Sequence, residues 1–81
     1  MAQHEHEWTS PEFVILIGNP RVPADMLAHR IPHSQSAIEL VRGGIHTYHT
    51  GGDASTLSQV MIWHLERNTG SLVCADCGMK F

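Results

Sequence analysis

Positive charge is scarce in this chain: five Lys and Arg residues stand against eight Asp and Glu, a formal net charge of −3. A strong nonspecific grip on nucleic acid lives on phosphate neutralisation, so that balance excludes one. Long apolar runs are missing too. The longest is Phe13 to Ile17, far short of the ~20 residues that span a bilayer. Met1 to Glu7 is polar and rich in His and Glu, without the basic and apolar regions of a secretory signal. A cytoplasmic protein with no membrane partner is the expectation. Cysteine is limited to Cys74 and Cys77. In that compartment the Cys-x-x-Cys spacing points to metal or redox chemistry before a structural disulfide. No βαβ pattern precedes the pair, which disfavours a thioredoxin-like role. Nor is there a recognisable nucleophile–base pair or carboxylate cluster, so an enzyme is not expected.

At 81 residues the chain has room for one domain. A domain this short buries only ~60% of its unfolded surface, and such chains often rely on a metal, a disulfide or a partner. Residues 1–7 read as a polar arm. Thr9-Ser10-Pro11-Glu12 is a helix start, either as a capping box from Thr9 to Glu12 or with Pro11 as first helical residue after Ser10. Phe13 to Ile17 continue that helix, and Gly18-Asn19-Pro20 should end it with a left-handed glycine cap. Pro23 opens a second helix over Ala24 to Ile31, ended by Pro32, with Leu27 and Ile31 one turn apart. Ser34 caps a third, whose inward face is Ala37, Ile38, Val41 and Ile45 and whose outward face is Gln35, Ser36, Glu39, Arg42 and His46. Gly43-Gly44 predicts that this helix stops near Arg42 or bends there. A fourth helix is expected from a cap at Asp53 or Ser55 to about Asn68, with Leu57, Val60, Met61, His64 and Leu65 sharing a face. Ser71 to Cys74 reads as extended, followed by a Cys74–Gly78 turn. The fold class is therefore mainly α.

Three helices joined by connections of about four and two residues have the layout of a helix-turn-helix unit. The residues add a resemblance. Trp8-Thr9 with Glu12, then Asn19-Pro20, Pro23, Leu27-Ala28-x-Arg30-Ile31-Pro32 and Ser34-x-x-Ala37-Ile38, resembles the compact Myb/SANT-like domains of bacteria and their phages. The likeness covers about half of the chain and places a Myb/SANT-like unit at 8–49, with the fourth helix and a zinc-knuckle-like tail at 50–81. It implies a trihelical bundle whose third helix, from Ser34 to about His46, enters the DNA major groove. Gln35, Ser36, Glu39 and Arg42 are then the contact residues of a small transcription-regulator-like protein. SANT-type members bind proteins instead, and an acidic third helix suits them. The alternative partner is accordingly a protein, for example the host target of a phage-encoded modulator. Trp8 is expected in the core.

Seven histidines are the outlier of the composition. Closed structural zinc sites take four Cys and His ligands in a tetrahedron, and Cys74-x-x-Cys77-Gly78 supplies half of one. His46-x-x-His49 supplies the best second half, because one helical turn sets both imidazoles on the same side. His64 competes with either, while His4 and His6 lie on the arm. The expected cofactor is one structural zinc held by His46, His49, Cys74 and Cys77.

Overall fold

A computed structural model describes residues 7–80. The polar arm, with His4 and His6, lies outside them except for Glu7. The described residues form a mainly α structure of four helices: α1 (Ser10–Ile17), α2 (Ala24–Leu27), α3 (Gln35–His49) and α4 (Gln59–Arg67).

Helix α1 begins at a complete capping box. The Thr9 N–H donates to Glu12 Oε1 (3.0 Å) and the Glu12 N–H donates to Thr9 Oγ1 (3.4 Å), so two otherwise orphaned donors satisfy each other's side chains. Its end differs from expectation. Gly18 has φ −83° and is not left-handed. The Asn19 side-chain amide instead donates to the Ile15 carbonyl at 2.7 Å, taking a free helix-end acceptor without a backbone reversal.

Helix α2 is shorter than the expected Ala24 to Ile31. It ends at Leu27, and the chain goes on in turns through Arg30. Pro32 disfavours the helical conformation at the residue before it, and the N–H groups of His29 and Arg30 bond three residues back instead of four. Leu27 and Ile31 are nonetheless both buried.

Helix α3 overturns the expectation of a stop or bend at Gly43-Gly44: it runs unbroken to His49 from its Ser34 cap, whose Oγ accepts from the Ala37 N–H at 3.1 Å. The reason is tertiary. Gly44 is buried, and a Cβ there would sit 2.3 Å from Thr56 Oγ1 and 3.0 Å from Leu57 Cδ2. The loop before α4 packs against the helix where a side chain is missing. Beyond the glycines, Ile45 anchors the last turns in the core.

Neither Asp53 nor Ser55 caps α4. Asp53 accepts from the Ser55 N–H (3.0 Å) and hydroxyl (3.1 Å), closing a local turn, and Ser58 is the cap, its Oγ accepting from the Met61 N–H. The expected apolar face is split as well. Met61 and Leu65 are buried, but Val60 is exposed and His64 only half-buried. Helix α1 packs on α4 and α2 on α3. The core between them holds Phe13, Leu16, Leu27, Ile31, Ile38 and Leu65, all 2% exposed or less. Trp8 is half-buried at its edge, stacked on the His33 ring at 4.0 Å, and His33 Nε2 lies 2.9 Å from Glu12 Oε1.

Candidate metal centre

The last turns of α3 and the tail that follows α4 converge on one point. His46 and His49 stand one turn apart, so both rings leave α3 on the same side, their centroids 5.3 Å apart. The tail comes to meet them after Gly70 (φ +95°), a left-handed position that costs glycine little. Leu72 is buried, which presses the tail onto the core. Val73 then pairs with Lys80 in an antiparallel bridge, and the Cys74 N–H donates to the Met79 carbonyl at 2.9 Å. Within that small loop the Gly78 N–H donates back to the Cys74 carbonyl at 2.8 Å, and Gly78 takes φ +74°. The turn between the cysteines is thereby closed.

The resulting cluster is His46, His49, Cys74 and Cys77, the set read from the sequence, with one ligand atom from each lying within 4.8 Å of the others. His46 Nδ1 is 3.5 Å from Cys74 Sγ, and His49 Nε2 is 3.2 Å from Cys77 Sγ. Two nitrogens and two sulfurs this close can hold one metal ion. The four differ in exposure: Cys74 is buried, the histidines are half-buried and Cys77 is exposed. Burial pushes the Cys74 thiol above its usual range, while the backbone N–H groups of Cys77 and Asp76 aimed at its sulfur pull the other way. Those N–H groups are the outer support that a ligating thiolate needs. His64 does not join the cluster. Its ring lies against Trp63 and Phe13, with centroids 5.0 and 6.1 Å away.

The outward face of α3 is arranged differently from its sequence reading. Gln35, Ser36 and Glu39 are exposed, with the Gln35 amide donating to Glu39 Oε2 at 3.1 Å. Arg42 is not part of that open surface. Its Nη2 donates to the carbonyls of Asn19 (3.0 Å) and Val22 (2.6 Å), so the guanidinium ties the α1–α2 loop to α3. Burial lowers its pKa from the ordinary arginine value, and the nearby Asp76 carboxylate partly offsets this. Arg42 also borders a cavity of about 20 Å³ lined by Leu16, Ile17, Ile45, Leu72 and Val73, at the seam of α1, α3 and tail. Sequence reading missed the roles of Arg42, Asp76 and Gly44. Periodicity reports which face of a helix a residue is on, but not which loop covers it.

Comparison with models of protein families, with curated proteins and with solved structures returns no match to this chain. No helix among the described residues is long and apolar enough to cross a membrane.

Proposed function

We propose that this chain is a small zinc-stapled recognition module on a Myb/SANT-like helix-turn-helix, and that α3 presents its exposed face to a protein partner. One observation carries the choice of partner. With Arg42 engaged by the carbonyls of Asn19 and Val22, the exposed face of α3 keeps Gln35, Ser36, Glu39 and Leu40, of which only Glu39 is formally charged. Phosphates repel such a face, whereas proteins accept it.

Zinc is the metal this donor set favours, since thiolate and imidazole together suit it. Zn–S bonds of ~2.3 Å and Zn–N bonds of ~2.0–2.1 Å make the N···S edges of a tetrahedron about 3.5 Å long. The separations of 3.5 and 3.2 Å are close to those edges, in a cluster whose four ligand atoms lie within 4.8 Å of one another. With all four positions filled by protein, the ion has no open site for substrate, which makes its role structural. Elemental analysis of protein purified without added metal should give about one zinc per chain. His46→Ala, His49→Ala and Cys77→Ser should each release it, and His64→Ala should retain it. A metal-free chain that melts identically with and without chelator would overturn the structural zinc.

DNA recognition by a transcription-regulator-like protein is the second reading. It is favoured by the exposure of Gln35, Ser36 and Glu39 at the leading end of α3, where a recognition helix meets base edges. Retention of random duplexes at low ionic strength separates the two. No retention by wild type or by Glu39→Gln supports the protein partner. Retention that strengthens in Glu39→Gln and falls with salt supports DNA.

A further inference from the structure

Beside the exposed face of α3 runs an open groove of about 360 Å³. Its floor is apolar. Ala37, Leu40 and Val41 contribute from α3, Met61 from α4 and Trp8 from the segment before α1. Leu40 is 62% exposed, an isolated aliphatic side chain standing in water at the groove's lip. Trp8 is held in place by its stack on His33, which is itself buried and paired with Glu12, so this wall is preorganised. Ala37 leaves the floor open where a larger side chain would fill it.

The rim carries one sign of charge. Among the described residues that line the groove, Glu7 is the formally charged one, while Thr56 and Ser58 are neutral and His33 is engaged with Glu12. Glu39 follows one residue before Leu40 on the same helix and is exposed. Successive helical residues point about 100° apart, so Glu39 lies outside the groove and Glu7 is the carboxylate at its edge, in a chain of net charge −3.

We infer that this groove is the partner site of the module and that its occupant is an amphipathic helix with an apolar stripe flanked by lysine or arginine. The inference deepens the protein-binding reading above and rests on it. An apolar slot between helical elements takes the apolar face of a helix, anchored at residues a turn apart. Leu40 and Trp8 supply the contact area, and Glu7 at the edge selects for a cationic flank and steers its approach.

The test uses the full, metal-loaded chain and two synthetic amphipathic helices, one of leucine and lysine and one of leucine and glutamate, followed by amide chemical shifts. The leucine–lysine helix should bind and shift the amides of Ala37, Leu40, Val41 and Thr56. Leu40→Glu, at an exposed position that folding does not depend on, should weaken it about tenfold or more. Glu7→Lys should weaken it and favour the leucine–glutamate helix. Equal binding of both helices to wild type, shifts clustered on Val14, Val60 and Trp63 instead, or no binding of either helix overturns the groove assignment. Retention of duplex DNA that competes with neither helix would overturn the protein-binding reading separately, because that outcome does not depend on Leu40.

Discussion

Two stretches of this chain reach order by different means. From α1 to α3, burial does the work. Phe13, Leu16, Leu27, Ile31 and Ile38 lose nearly all contact with water, and fully burying such a side chain is worth about 1.5–3 kcal/mol. The tail from Leu72 to Lys80 buries only Leu72 and Cys74, and residues 75–80 are exposed. One bridge and two backbone hydrogen bonds could not hold so short a loop in place, because ordering each residue costs about 1–2 kcal/mol. On the reading proposed above, a metal ion held by His46, His49, Cys74 and Cys77 supplies the rest. A core and a metal staple are thus complementary ways for a small domain to meet the same entropic cost.

Stripping the metal should break this comparison most completely. Structural zinc contributes ~10–16 kcal/mol of apparent binding free energy in small zinc domains, against a total stability of ~5–15 kcal/mol for a typical domain. Chelation, or Cys77→Ser, should therefore release the tail and abolish or sharply lower the cooperative melt followed by circular dichroism. A tail whose amide-exchange protection survives chelation would mean that packing alone orders it.

Phe13→Ala attacks the other region. It should cost about 3–5 kcal/mol, the usual range for truncating a fully buried aromatic, measured by urea denaturation of the zinc-loaded protein. The variant should keep its zinc at low temperature, since none of the ligands contacts that ring.

Arg42→Ala joins the two regions and so comes next. Removing two charge-assisted hydrogen bonds should cost about 2–3 kcal/mol, roughly 10 °C in melting temperature for a domain of this size. The loop carbonyls of Asn19 and Val22 should lose amide-exchange protection around them before the rest of the core does.

Finer still is the glycine pair. Gly43→Ala faces open space and should stabilise by about 1 kcal/mol through helix propensity. Gly44→Ala should give up that gain, because its methyl displaces Thr56 and presses on the buried Leu57. Equal stabilisation by both would mean that the loop before α4 yields freely.

The smallest effect concerns pH. With the metal removed, burial raises the Cys74 pKa above its unfolded value. A metal-free chain that keeps the tail docked then favours the protonated thiol, so its stability is full at pH below the thiol range and falls as pH rises through it, whereas a released tail shows no such dependence. The metal-loaded chain should show the opposite trend at low pH, losing zinc as imidazoles and thiolates protonate. Parallel melts across that range check both signs.

Local chemistry carried much of this molecule in its residue order. The Thr9–Glu12 capping box, the Ser34 cap and the inward stripe Ile38, Val41 and Ile45 act within one or two turns, so the residue order alone is enough to read them. The four metal-site residues were legible for the same reason: each pair sits at a spacing that converges its own two side chains. What tertiary packing decided lies wherever two distant segments meet. Helix α3 continues past Gly43-Gly44 because the Thr56–Leu57 loop fills the space left at Gly44, and Ser58 takes the cap because Asp53 is engaged by Ser55 and Leu57 is buried ahead of the helix. Arg42 looks outward by helical period, yet the α1–α2 loop folds over it and supplies two carbonyls. Burial and pairing across twelve or more residues of chain depend on where the backbone returns, and that is set by the sum of the packing and not by any local pattern.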